Sequence, residues 1–163
     1  MLKLIIADDE RVIRETISSI IDWKQYDIEL VGLCKNGLEA YDAILDESPD
    51  IVLTDIRMPG MDAMELLEKC AELDFPPHFI LLSGYGEFEY AKKAMKYGVR
   101  HYLLKPCNKN QILESIQDVA RTCLQETGKQ HLEQDSFHIA NDMVHNAMFG
   151  ILNDALYQNH SYE

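Results

Sequence analysis

Four short apolar runs in this chain each end on a polar residue capable of chemistry. Lys3-Leu4-Ile5-Ile6-Ala7 ends on Asp8 and Asp9. Asp50-Ile51-Val52-Leu53-Thr54 ends on Asp55, Phe79-Ile80-Leu81-Leu82 on Ser83, and His101-Tyr102-Leu103-Leu104 on Lys105, which Pro106 follows. Short apolar runs separated by helical patterns are the signature of buried parallel strands. Open α/β sheets bind ligands beyond the carboxyl ends of such strands. The pattern therefore constrains fold and site location together.

Strand and helix patterns alternate five times. The first strand is Leu4 to Ala7, and Val12, Ile13, Ile17, Ile20 and Ile21 then recur at helical spacing up to Trp23. Ile28 to Leu33 is the second strand. Leu38, Ala40, Tyr41, Ile44 and Leu45 mark a helix that Pro49 terminates. Ile51 to Thr54 is the third strand, followed by a Pro59-Gly60 turn signal and a helix through Met64, Leu66, Leu67, Cys70, Ala71 and Leu73. Pro76-Pro77 precedes the fourth strand. Tyr90, Ala91, Ala94, Met95 and Tyr97 make the fourth helix, with Gly98 as its stop. After the fifth strand, Ile112, Leu113, Ile116, Val119, Ala120 and Leu124 make the fifth helix.

Five β–α repeats with short connections predict a parallel sheet covered by helices on both faces. The flavodoxin-like (βα)5 order 2-1-3-4-5 fits the count, with its switch point between strands one and three, where Asp8, Asp9 and Asp55 would meet. Two segments are expected: residues 1–125 as this α/β domain, and 126–163 as a helical linker or appendage with a frayed end. In the second, Gly128 interrupts and Phe137, Ala140, Val144, Ala147 and Ile151 recur near heptad spacing. His131, His138 and His145 recur every seven residues there. Seven helical residues span about 10.5 Å, too far for one metal, so a polar stripe is the better reading.

Converging carboxylates repel. At an effective dielectric of about 20, two like charges near 4 Å cost about 4 kcal/mol. Such a cluster must take up a cation, stay partly protonated or face a cationic side chain. Taken singly, the residues have plainer explanations. Asp8 and Asp9 suit helix caps as well as a site, an isolated lysine is usually a surface lysine, and Tyr102 alone reads as a half-buried strand residue.

Composition narrows the partners. The 163 residues carry 28 acidic against 15 basic side chains, a formal net charge of −13. That argues against direct DNA binding by this chain, since affinity for a phosphate backbone is mostly electrostatic. Cys34, Cys70, Cys107 and Cys123 lack C-x-x-C spacing and are expected to be reduced thiols of a cytoplasmic protein. No signal peptide is evident, and no apolar stretch reaches the roughly 18 residues that span a bilayer, so no membrane association is expected.

The set Asp8-Asp9, Asp55, Ser83 and Lys105-Pro106, in that order and on those strand ends, resembles the receiver domain of two-component response regulators over roughly residues 1–125. The resemblance implies that Asp55 is the phosphoacceptor for a histidine kinase. It implies a Mg²⁺ ion on Asp9 and Asp55, with Asp8 acting through water and the backbone carbonyl of Arg57 completing the protein ligands. Lys105 would pair with Asp55 and then with the phosphoryl oxygens, Ser83 would donate its hydroxyl to them, and Tyr102 would be the aromatic switch. A cis Lys105–Pro106 bond is also implied. The chemistry is sound apart from the family: phosphoryl transfer depends mainly on positioning and charge stabilisation, and Mg²⁺ takes oxygen ligands. One departure concerns Ala63, where the family commonly has glycine; if the position needed a positive φ, alanine would be strained.

The run Leu82-Ser83-Gly84-Tyr85-Gly86-Glu87-Phe88-Glu89-Tyr90-Ala91-Lys92-Lys93-Ala94 resembles receivers fused to AraC-type DNA-binding domains. No helix-turn-helix with basic recognition residues follows residue 125. The expectation is the regulatory part of a transcription regulator whose output domain lies outside this chain. The alternative is a stand-alone receiver that signals through protein contacts. A homodimer through helix four, strand five and helix five is a possible readout, because Glu87, Glu89, Lys92, Lys93 and Lys96 give helix four both charge signs; a plain solvated face is an equal reading. A Mg²⁺-dependent phosphohydrolase fits less well, since that class needs a D-x-D pattern after the first strand and Asp8-Asp9-Glu10 lacks it. The chain is thus expected to be a phosphoacceptor rather than an enzyme, apart from slow self-dephosphorylation.

Overall fold

The computed structural model describes residues 1–84, 86 and 88–131. Its elements are β1 (Leu2–Ala7), α1 (Arg11–Ile20), a 3-10 turn (Trp23–Tyr26), β2 (Ile28–Cys34), α2 (Gly37–Glu47), β3 (Ile51–Asp55), α3 (Ala63–Ala71), β4 (His78–Ser83), α4 (Phe88–Met95), β5 (His101–Leu104) and α5 (Lys109–His131). The strands form one sheet in the order β2-β1-β3-β4-β5, and every pairing is parallel. This is the flavodoxin-like arrangement expected from the β–α alternation.

Strand residues alternate between two buried faces. Ile5, Ala7, Val52, Phe79 and Leu81 join Ala40 and Ile44 of α2, Leu66, Leu67 and Cys70 of α3 and Ala94 of α4 in one cluster. The intervening residues Leu4, Ile6, Ile51, Leu53, Ile80 and Leu82 are completely buried as well. On the helices outside that cluster, Ile17 of α1 and Ile112 and Ile116 of α5 are buried. Burial on both faces is why β1, β3 and β4 read as continuous apolar runs, and each fully buried Val, Leu, Ile or Phe among them stabilises the fold by about 1.5–3 kcal/mol.

Local chemistry sets the boundaries. Asn36 caps α2 by accepting the Glu39 N–H at 2.8 Å, and Asp62 caps α3 by accepting the Glu65 N–H at 2.9 Å. Gly98 adopts φ 85° and closes the turn after α4. Two features differ from expectation. The segment after α1 winds into a short 3-10 turn, anchored by the Trp23 indole N–H donating to the Ser18 carbonyl. The fifth helix does not stop near Leu124: it runs through Gly128 to His131, since a helical glycine costs only about 1 kcal/mol.

The chain divides into two compact units, Met1–Arg121 and Thr122–Glu163. The heptad-like pattern predicted for 130–157, with His138 and His145, lies almost wholly outside the described residues. Among the described residues, no helix is long and apolar enough to cross a membrane.

Candidate functional site

The topology carries Asp8, Asp55, Ser83 and Lys105 to one edge of the sheet, because all five strands run the same way and each of these residues ends or follows a strand. Carboxylate oxygens of Asp8, Asp9 and Asp55 lie within 4.8 Å of one another. Asp8 is completely buried, Asp55 is 7 % exposed and Asp9 is exposed. The trio thus has two fixed members and one facing solvent.

Lys105 answers them from the other side. Its Nζ lies 3.0 Å from Asp8 Oδ2 and 3.2 Å from Asp55 Oδ2. Its backbone N–H donates to the Ser83 carbonyl at 2.7 Å, which ties the start of the β5–α5 connection to β4. The Lys105–Pro106 peptide is cis. Asp55 Oδ1 accepts its neighbour's N–H, from Ile56, at 2.9 Å.

Burial first, and then the Asp8 charge, push the Asp55 carboxyl up to about 6; the nearby lysine opposes both. Burial works against the Lys105 ammonium, but the hydrogen bond to Asp8 and the charges of Asp55 and Asp8 outweigh it, so its pKa lies above the ordinary lysine value. One ammonium group therefore does not fully compensate three carboxylates, and the cluster favours an added cation. The donor set fits Mg²⁺. All donors are oxygen, as this ion prefers, and it usually takes one or two carboxylates plus water.

Ser83 is completely buried at the end of β4, and its hydroxyl meets that of Tyr102 on β5 in a hydrogen bond. Tyr102 is only partly covered. The proposed hydroxyl donor and aromatic switch are thus in direct contact, which their 19-residue separation did not reveal.

The loop after β3 is braced from several sides. The Ile56 N–H donates to the Leu82 carbonyl at 3.2 Å, and the Ala63 N–H to the Ile56 carbonyl at 2.9 Å. A Cβ on Gly37, the first residue of α2, would lie 1.9 Å from the Met61 carbonyl oxygen, so only glycine permits this approach. Gly60 takes the positive φ, at 81°, and Ala63 simply opens α3. The departure from glycine at position 63 therefore carries no strain. The Arg57 guanidinium lies 5.2 Å from the centroid of the Tyr90 ring on α4, within cation–π range.

Three contacts escaped the sequence reading: Gly37 against Met61, Arg57 over Tyr90, and Arg14 Nη1 donating to the Asp8 carbonyl at 2.7 Å. Faint signals existed for two of them. A glycine within a helical pattern can mark a close backbone approach, and Arg14 shares a helical face with Ile17, three residues on.

Comparison with known proteins agrees with this geometry. Residues 4–117 match the sequence model of the response regulator receiver domain. The chain is 48% identical over 143 residues to the uncharacterized transcriptional regulatory protein YesN of Bacillus subtilis, covering 85% of this chain and 39% of that protein. It is 38% identical over 140 residues to the transcriptional regulatory protein HptR of Staphylococcus aureus, covering 86% and 55% respectively. The chain thus spans about two fifths to just over half of these curated relatives. Among solved structures, the REC domain of AraT, a response regulator from Geobacillus stearothermophilus, superposes with a TM-score of 0.72 at 37% identity, covering 77% of this chain and 98% of that one. A two-component transcriptional regulator AraC from Clostridium phytofermentans also reaches 0.72, at 31% identity, with 78% and 98% covered.

Proposed function

The chain belongs to the response regulator receiver domains of two-component systems, and from that premise we propose that Asp55 accepts a phosphoryl group from a histidine kinase. The observation that carries this proposal is the Lys105 ammonium within 3.2 Å of both buried carboxylates, Asp8 and Asp55, with Asp9 open to solvent beside them. Asp9 and Asp55 would hold Mg²⁺, with Asp8 acting through a water and the Arg57 carbonyl as a further ligand. When bound, the ion would supply the charge neutralisation that lets one anion approach another.

The remaining roles fall to side chains. Asp55 presents one carboxylate oxygen to the incoming phosphorus. Lys105, held now by the two carboxylates, would transfer one of its contacts to a phosphoryl oxygen. The Ser83 hydroxyl, at present on Tyr102, would turn to the phosphoryl group and release the phenol. Tyr102 would then move inward, and α4 would respond. A phosphoryl group drives such a change because it adds charge and strong acceptor oxygens.

The relatives' names and the partial coverage support reading the chain as a regulatory segment of a transcriptional regulator whose output domain lies outside these residues. In this reading residues 1–125 are the receiver, 126–163 a helical linker or appendage, and the protein works in the cytoplasm. The −13 charge argues against this chain gripping DNA itself. The face of α4, β5 and α5 is the proposed homodimer surface. Oligomeric mass should rise from monomer to dimer when beryllofluoride is added with Mg²⁺; a monomer in both states refutes the dimer surface.

The direct test is labelling with acetyl phosphate and Mg²⁺. The wild-type chain should gain one phosphoryl group by mass, and Asp55→Asn should gain none. Equal labelling of the two refutes Asp55 as acceptor.

A further inference from the structure

The roles proposed above leave one contact at the β1–α1 junction unused. Asp8 follows the last register pair of β1, in which Ala7 faces Cys34 on one side and Thr54 on the other. It is held at every polar group it has. Its N–H donates to the Cys34 carbonyl at 3.0 Å, its Oδ1 accepts the Glu10 N–H at 2.9 Å, and its Oδ2 accepts from Lys105. Its carbonyl accepts from Arg14 Nη1 at 2.7 Å. The fourth contact differs from the others because it comes from a cation that is neither a carboxylate partner nor part of the sheet.

Arg14 is well placed to act as a tie. Its backbone N–H donates to the Glu10 carbonyl at 3.0 Å, closing the first turn of α1. Arg14 is partly buried, on the helix face shared with the buried Ile17. A guanidinium hydrogen bond to a carbonyl is charge-assisted, hence stronger than a neutral one. Glu10 makes no side-chain cap on α1, so the bonds of Asp8 and Arg14 are what join the strand end to the helix start.

We infer that Arg14 is a positioning residue of the divalent-cation pocket: its bond to the Asp8 carbonyl holds the β1–α1 junction so that the Asp8 and Asp9 carboxylates stay close enough to Asp55 to share an ion. The inference rests on the proposed cation site. Two roles for Arg14 predict opposite signs. As a bare positive charge beside the pocket it opposes a divalent cation, and its removal would tighten binding. As a tie, its removal lets the carboxylates spread and weakens binding.

The experiment titrates the full chain with Mn²⁺ and follows the free-ion electron paramagnetic resonance signal, well below each variant's melting temperature. Arg14→Ala should raise the dissociation constant about ten-fold, at the low end for residues that orient metal ligands. Arg14→Lys, which keeps reach and one donor, should recover most of that loss. Arg14→Gln replaces the alanine variant if that one folds poorly. Unchanged or tighter binding by Arg14→Ala overturns the inference, and so does equally weak binding by the lysine variant. A wild-type chain that takes up no Mn²⁺ overturns the cation site itself, whereas wild-type binding matched by Arg14→Ala overturns only the part given to Arg14.

Discussion

The two walls of the pocket are built differently. On the acidic wall, Asp8 is bonded through its amide, its carbonyl and both carboxylate oxygens, and Asp55 through the Ile56 N–H and Lys105. Behind it, Gly37 packs hard against the Met61 carbonyl. On the opposite wall, Ser83 and Tyr102 sit on paired strands and their side chains meet through one hydroxyl–hydroxyl bond, and β5 has no fully buried residue. A wall that must keep like charges together needs many short bonds, because repulsion would otherwise spread it. A wall that must exchange one partner for another works best with few. The contrast suits a site that receives charge on one side and reports it on the other.

The largest expected effect falls on the bridge between the walls. Lys105→Met keeps most of the side chain's apolar stem but removes the ammonium. In EDTA at pH 7 it should destabilise the fold by about 2–3 kcal/mol, somewhat below the usual cost of orphaning a buried charge because Lys105 is partly exposed. Mg²⁺ should restore part of that loss, while acetyl phosphate labelling should fall strongly. Urea unfolding with and without Mg²⁺ checks the first part. An unchanged midpoint in EDTA would mean the acidic wall does not depend on its counter-charge.

The next effect tests the crowding of the acidic wall. Asp55 has its pKa raised to about 6, by burial and then by Asp8. The folded chain therefore holds that proton more tightly than the unfolded chain does. Its contribution to stability is full below the unfolded carboxyl pKa and is lost as pH rises through about 6. Metal-free protein should lose on the order of 1 kcal/mol from this group between pH 4.5 and 7.5. Asp55→Asn should lack that component, and at pH 7.5 it should be the more stable of the two. Parallel pH slopes for the two proteins would show that the carboxylates are not crowded.

The smallest effect belongs to the looser wall. Tyr102→Phe removes one hydroxyl contact and should cost under about 1 kcal/mol. Asp55 labelling should proceed at the wild-type rate, whereas any beryllofluoride-induced change in oligomeric mass should be altered. A large loss of labelling would place Tyr102 in the phosphoryl-accepting machinery instead.

Much of this molecule follows from the order of its residues. Strands buried on both faces must be apolar throughout, so the runs ending at Ala7, Thr54 and Leu82 stood out. The run ending at Leu104 reads the same way, but β5 is the outermost strand of the sheet and is only partly covered. A parallel sheet can only gather the polar successors of all four at one edge. Helix extent was less legible. Gly128 suggested a break, yet a single helical glycine is a modest penalty, and α5 continues past it. Ala63 raised a doubt about loop strain that vanished once Gly60 proved to carry the positive φ.

Sequence alone determined the alternation of elements, the parallel sheet and the identity of the acidic trio with its lysine, because periodicity and strand-end polarity are local properties. Tertiary structure decided the rest: the uneven burial of Asp8, Asp9 and Asp55, the two-carboxylate grip of Lys105, the Ser83–Tyr102 contact, the fit of Gly37 against Met61 and the tie from Arg14 to Asp8. Each of these depends on distances between segments far apart in the chain, or on where a side chain turns, and burial and Coulomb energy are set only when those distances are.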